Sequence, residues 1–322
     1  MFIYVARRAL YSLPVLLIAT FLVFVMVSAT FDPTAKLAQS RDAAHARAAM
    51  REELGLNRPL LVQYGTWLGD AAHGNFGTSY RTRTAVSEQV RPAFWNTFQL
   101  IIWGIIISTT VALFVGVYSA TRQYSPGDYL LTGLAFVGIA MPPFWFGLIA
   151  YDFATKLADW FNHGQPVLYG LGLHSAGKSG INGDYALHLV LPVLTLTIQI
   201  IASWSRYERA SMLEVMSSDY IRTARAKGLG RRTVVYKHAL RNALIPFVTV
   251  MALDIGALFG GLVVTEQIFS IPGMGRLFVQ ALVSGDAPVV LAWLLISAVF
   301  IIIFNLLADL AYSALDPRIR LA

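Results

Sequence analysis

Residues Ala9–Ala29 read ALYSLPVLLIATFLVFVMVSA, an apolar run without a single charge. Crossing the hydrocarbon of a bilayer as a helix takes about 20 such residues. The run is preceded by Arg7 and Arg8. A cleaved signal peptide also begins with positive charge, but its apolar stretch spans only about 7–15 residues. The stretch therefore predicts an uncleaved first transmembrane helix with the N-terminus in the cytoplasm. The Arg7–Arg8 pair carries no further support as a twin-arginine signal.

Five more runs follow: Thr97–Ala120, Leu130–Lys156, Tyr185–Ser205, Leu244–Val264 and Val289–Tyr312. Pro142 and Pro143 fall in the middle of the second of these and predict a kink or break there, because proline donates no backbone hydrogen bond. Composition agrees with a membrane protein: 56% of the 322 residues are hydrophobic and 13% are charged. A soluble fold with so little charge would expose large apolar patches. The chain has no cysteine, which excludes disulfides and zinc thiolate sites. Its net charge of +7 is read as basic cytoplasmic loops and not as a nucleic-acid surface.

Six crossings place both termini on one side. Arg206–Arg241 holds nine Lys/Arg against Glu208, Glu214 and Asp219; the same side carries Arg122 and the tail residues Arg318 and Arg320. The positive-inside rule makes it cytoplasmic. The predicted organisation is a first membrane helix over 1–29 and an outer segment over 30–96. A membrane core follows over 97–312, with a cytoplasmic loop at 206–241, and then a tail over 313–322. The outer segment also carries eight Lys/Arg, but long translocated segments weigh little in the rule. A helical pattern over Ala43–Leu54, ended by Leu56-Asn-Arg-Pro59, predicts a small ordered subdomain there.

Gly172-Leu-His-Ser-Ala-Gly177-Lys178-Ser179 matches the phosphate-loop pattern G-x-x-x-x-G-K-[ST]. Phosphate binding needs a buried strand before such a loop and a helix opening from it. Here the motif lies between two membrane runs, in a glycine-rich stretch on the outer side, and Gly180-Ile-Asn-Gly183 makes a poor helix start. The match is read as coincidence.

The polar stretch Ser218-Asp-Tyr-Ile-Arg-Thr-Ala-Arg-Ala-Lys-Gly228 predicts a short cytoplasmic helix of about two to three turns, with Asp219 as N-cap and Gly228 as stop. Arg222, Arg225 and Lys227 gather toward its C-terminus, where cations are favoured; Ala224 and Ala226 are small, which permits close packing. Physical chemistry leaves two readings open: a basic helix resting on anionic lipid, or a helix docking into a partner.

Asp219–Pro246 reads DYIRTARAKGLGRRTVVYKHALRNALIP and resembles the cytoplasmic loop of ABC importer permeases. The version is the one typical of dipeptide and oligopeptide permeases, YxRTARAKG followed by HALRNALxP. Aligned on Gly228 with the general signature of that superfamily, EAA-x3-G-x9-I-x-L-P, the leading Glu falls on Arg222 and the Pro on Arg241. Leu54–Tyr64, Thr265–Arg276 (similar to ExxFxxPGxGR) and Asp309–Arg320 match the same family. The resemblance implies a type I ABC importer permease fold with about six membrane helices, in the bacterial plasma membrane. It also implies a homologous second permease, two ATPase subunits and an extracytoplasmic binding protein as partners, with no cofactor and no catalysis in this chain. Asp219, Arg222, Thr223, Ala224, Arg225, Lys227 and Gly228 would couple the membrane helices to the ATPases, and the cargo would be peptides.

Asp254 lies mid-run, where a charge costs roughly 2.5–3.5 kcal/mol on insertion scales. It therefore either lines the translocation path or hydrogen-bonds a neighbouring permease. Glu266 stands at the outer end of the same run, where it either gates the translocation pathway or pairs with Arg276. Gly256 and Gly260 share a face that lets another helix approach closely. The resemblance raises a metal reading, since related permeases import nickel. However, His45, His73, His163, His174 and His188 are dispersed, so no metal site is expected. A self-contained channel or secondary transporter is the alternative, hinted at by Asp254 and by Pro142–Pro143.

Overall fold

The computed structural model describes residues 2–32, 34, 43–53, 55–161 and 168–315. His163 and the tail from Asp316, including Arg318 and Arg320, lie outside the described residues. The described chain is helical: α1 Phe2–Thr30, α2 Ala43–Glu53, α3 Leu60–Ala72, α4 Val86–Thr121, α5 Pro126–Ala140, α6 Pro143–Phe161, α7 Gly183–Met216 and α8 Asp219–Ala226. A π-helix over Thr233–Ala239 then leads into α9 Leu240–Ile268, followed by α10 Met274–Ser284 and α11 Ala287–Leu315.

Among the described residues, five helices are long and apolar enough to cross a membrane, and there are six such spans if α5 and α6 count as one bent span. α1 shows why lipid must be its solvent: only 17% of its apolar window is buried, and Leu10, Val15 and Met26 are each more than 60% exposed. The two prolines do more than kink the third run: α5 and α6 meet at 106°. Met141 takes an extended conformation at the break, as the residue before a proline must, and α6 opens on Pro143. A break inside a membrane frees carbonyls that no water can reach. Gln199 of α7 meets that need, its Nε2 donating to the Met141 carbonyl at 2.9 Å.

Two compact units divide the chain. The first comprises 98–271 with the chain from 303 onward. Its centre is α7, which packs on α5, α6, α9 and the π-helix. Glycines of α4, α5 and α6 bring these helices close to α7. A Cβ at Gly104 would fall 2.7 Å from Leu196, at Gly138 3.1 Å from Ala202, and at Gly147 3.0 Å from Thr195. Buried Ala112, Trp204, Phe247 and Ile255 form one core cluster.

The second unit comprises 2–97 and 272–302. α3 lies on α1 through aromatics: Tyr64 meets Phe21 edge-on at 5.2 Å, and Trp67 lies 5.6 Å from Phe24. The Tyr64 and Thr20 hydroxyls are 2.8 Å apart. The loop after α3 is ordered by one carboxylate: Asp286 accepts from the Ser79 hydroxyl and from the Tyr80 backbone N–H. Gly273 precedes α10, whose buried Met274 donates its N–H to the Thr97 hydroxyl at 2.8 Å. α2 matches the predicted helical pattern, but α3 and α10 were not foreseen. α4 starts at Val86, eleven residues before the apolar run that announced it.

Candidate functional site

The stretch 206–241 opens with the end of α7, which runs on to Met216. α8 then stands out from the chain as predicted in length, with one correction at its start. Ser218, not Asp219, is the N-cap, and no side chain caps the helix. The Ser218 hydroxyl turns back to the Val215 carbonyl at 2.6 Å, which frees Asp219 to pair with Arg222 at 2.7 Å. That pair is largely exposed and contributes little. Gly228 ends the helix with φ +76°. The Leu229 N–H reaches the Ala224 carbonyl and the Gly228 N–H the Arg225 carbonyl, the paired closure that a left-handed residue after a helix permits.

α8 has two faces. Ile221 and Ala224 are buried with Val117, Met212, Val234, Val235, Ala239 and Ala243. Arg222, Thr223, Arg225 and Lys227 are exposed. Of the seven residues predicted to couple to a partner, Ala224 thus faces the chain's own helices, and the six others are exposed. Two bonds pin the base: Ser211 Oγ donates to the Ala243 carbonyl at 2.9 Å, and Asn242 Nδ2 to the Tyr220 hydroxyl at 3.0 Å.

A further anchor escaped the sequence. The Arg209 guanidinium grips Asp128 with Nε to Oδ1 at 3.0 Å and a second nitrogen to Oδ2 at 2.9 Å. Asp128 is buried in the first turn of α5, where its N–H donates to the Ser125 hydroxyl and its carboxylate accepts from the Tyr124 N–H. The S-x-x-D spacing of Ser125–Asp128 is a helix-start signature and was the available signal. Glu208, one residue before Arg209, is fully buried, and neither of its carboxylate oxygens has a hydrogen-bond partner among the described residues. Its methylenes lie where a Cβ on Gly116 would be.

Asp254 is half-buried and accepts from Trp204 Nε1 at 2.7 Å. Its carboxylate is therefore held within the chain, a partner that neither sequence reading had named. Glu266 is fully buried in the last turn of α9. Gly256 is buried in α9; Gly260 belongs to the same helix.

The phosphate-loop match has a structural account. Ser175 gives both its N–H (2.9 Å) and its hydroxyl (2.6 Å) to Asp184, and Lys178 Nζ reaches the same carboxylate at 3.1 Å. His188 stacks on Tyr169 at 4.4 Å, with Nδ1 3.2 Å from the Gly172 carbonyl. The Ser175 N–H and hydroxyl and the Lys178 ammonium are thus engaged by Asp184, and α7 begins only at Gly183, capped by Asn182. Asp184→Ala should therefore cost about 1.5–3 kcal/mol, the usual contribution of hydrogen bonds to a charged group, here a buried carboxylate. Removing the exposed Asp152–Lys156 pair should cost about 0–1 kcal/mol. Unfolding midpoints of the two variants in detergent check this; equal shifts would contradict it. Among the described residues, no three of His, Cys, Asp or Glu gather as metal ligands do.

Residues 112–321 match the family described as binding-protein-dependent transport system inner membrane component, and residues 1–101 match its N-terminal companion. The chain belongs to this family. It is 41% identical over 319 residues to the oligopeptide transport system permease protein AppB of Bacillus subtilis, covering 98% of this chain and 99% of the relative. It is 37% identical over 333 residues to the dipeptide transport system permease protein DppB of Escherichia coli K12, covering 98% of both. The crystal structure of an amino acid ABC transporter with histidines superposes with a TM-score of 0.53 at 13% identity, over 71% of this chain and 94% of that one. The likeness shows a shared fold. Family and fold together make this chain a multi-pass inner membrane permease component of ABC transport, with α8 in the loop that resembles the family's signature.

Proposed function

We propose that this chain forms half of the translocation pathway of an ATP-driven peptide importer, with α8 as the point where a separate ATPase engages it. The observation that carries the proposal is the two-faced seating of α8. Ile221 and Ala224 root it among residues of α4, α7, the π-helix and α9, while Arg222, Thr223, Arg225 and Lys227 stand exposed. A push on the exposed face therefore reaches the membrane helices through close-packed side chains, which shift as units and do not deform continuously.

The assembly would hold this subunit, a homologous second permease, two ATPase subunits and an extracytoplasmic binding protein, all embedded in or resting on lipid. ATP hydrolysis belongs to the ATPases. Positive loop charge puts both termini and 206–241 in the cytoplasm. The 30–96 segment and Ala158–Asp184 then meet the loaded binding protein outside, around the 97–312 core. Asp254 would border the path, with one oxygen held by Trp204 and the other offered to a peptide ammonium; Glu266, buried in this conformation, would border it once the path opens. The peptide assignment leans on the names of the relatives, oligopeptide and dipeptide permeases over nearly the whole chain.

The test is uptake of labelled di- and oligopeptides into proteoliposomes holding the complete assembly. Uptake should require ATP and should fall at least tenfold in Arg222→Glu/Arg225→Glu/Lys227→Glu, while the variant retains its unfolding midpoint. Uptake by this chain alone, driven by an ion gradient, would instead establish a secondary transporter.

A further inference from the structure

A pocket of about 440 Å³ opens between the last turns of α4 and the π-helix. Its two halves differ in chemistry. One is apolar, built by Leu113, Phe114, Val117, Val235 and Leu240; the other carries the guanidinium groups of Arg122, Arg231 and Arg232. No carboxylate lines it. Of the acids in the neighbouring segments, Asp128 is paired with Arg209 and Asp219 with Arg222, and Glu208 is fully buried beneath Gly116.

Two of the arginines are held in place by contacts that leave their charge unpaired among the described residues. Arg231 donates to the Thr121 carbonyl at 2.9 Å, and Arg122 lies over the Tyr118 ring at 5.2 Å. Phe114 is 72% exposed and Tyr236 62% exposed beside them. α4 is a membrane span, and Leu113–Val117 belong to its apolar run. The apolar half therefore sits at hydrocarbon depth, while Tyr118 and Arg122 mark the boundary with water, where tyrosine is favoured.

From this we infer that the pocket is a binding site for one anionic glycerophospholipid. Its phosphate meets Arg122, Arg231 and Arg232, and an acyl chain lies along Leu113 and Phe114. Basic pockets at the ends of membrane helices select such headgroups. A free phosphate would leave the apolar half unused, and an acidic protein segment cannot enter the hydrocarbon. The site lies in the inner leaflet if the orientation proposed above holds; its chemistry does not depend on that. Val235 lines the pocket and also belongs to the cluster under α8, so a bound lipid braces the base of that helix.

The experiment is native mass spectrometry of the full chain in detergent, titrated with dioleoyl phosphatidylglycerol or dioleoyl phosphatidylcholine. The glycerol lipid should be retained at concentrations where the choline lipid is not. Arg122→Gln/Arg232→Gln, which spares the Arg231 bond to Thr121, should weaken its retention roughly 25-fold, about fivefold per charge. Arg122→Lys/Arg232→Lys should stay within about threefold of the parent, since the charge near the surface is kept. If the glutamine variant does not fold, the lysine variant and the comparison of two lipids on the parent chain still decide. Equal retention of both lipids, or unchanged binding in the glutamine variant, would overturn the inference. So would displacement by inorganic phosphate, which would mark a phosphate site. Loss of the ATPase subunits from the assembled complex with lipid binding intact would make the arginines a protein interface instead.

Discussion

Gly116→Leu should leave the chain unable to accumulate in folded form, and even Gly116→Ala should be destabilised by about 1–3 kcal/mol, the typical cost of overpacking. Gly116 lies where α4 crosses α7. A Cβ there would fall 2.7 Å from both Cβ and Cγ of Glu208 and 3.0 Å from the Ser205 carbonyl oxygen. None of these atoms is the far end of a flexible side chain. Relief would require α4 and α7 to separate, and α7 is the helix on which the first unit is built. Gly133 is the internal control. It is also helical, in α5, but a Cβ there meets nothing within 4 Å. Gly133→Ala should be neutral or stabilising by up to about 1 kcal/mol, from helix propensity alone. Unfolding followed by tryptophan fluorescence in detergent separates the two; a Gly116→Ala midpoint equal to that of Gly133→Ala would contradict the close crossing.

The second large effect concerns Trp204. It is fully buried, packs edge-on against Phe247 at 5.9 Å, and donates to Asp254. Trp204→Ala should cost about 3–5 kcal/mol, as large aromatic truncations do. Trp204→Phe keeps most of the packing but removes the donor, leaving a half-buried carboxylate oxygen without it, at about 1–3 kcal/mol. Asp254→Leu in the Trp204→Phe background should recover part of that loss, because no orphaned carboxylate remains. A coupling of about 0.5–3 kcal/mol in the double-mutant cycle is the expected reading. Strict additivity would mean that the bond contributes nothing.

How much of this was legible depended on how far apart the interacting residues lie. α8 and its stop at Gly228 were readable because a helix end is decided within one turn. The break at Pro142 was readable for the same reason, although its size was not. The rejection of the phosphate loop followed from context, since neither a preceding strand nor an immediate helix was in the pattern. By contrast, the Trp204–Asp254 and Arg209–Asp128 contacts join residues 50 and 81 positions apart, and no local rule connects them. The role of Gln199 follows only from the break it satisfies, 58 positions away at Met141. The close crossings at Gly104, Gly116, Gly138 and Gly147 of α4, α5 and α6 were not singled out, because any glycine in an apolar run reads alike until its neighbour is known. The early start of α4 was hidden by Glu88, Arg91 and Pro92, which make its first turns look like loop.

The central claim is that a separate ATPase meets this chain at the exposed face of α8. The chain contains no cysteine, so single thiols can be placed without background. In the assembled complex, Arg222→Cys and Arg225→Cys should each form a short-reach crosslink to an ATPase subunit, whereas the buried position in Ile221→Cys and the outer-segment position in Arg81→Cys should not. No crosslink from 222 or 225, with both thiols equally open to a soluble maleimide whether or not the ATPases are present, would contradict the account.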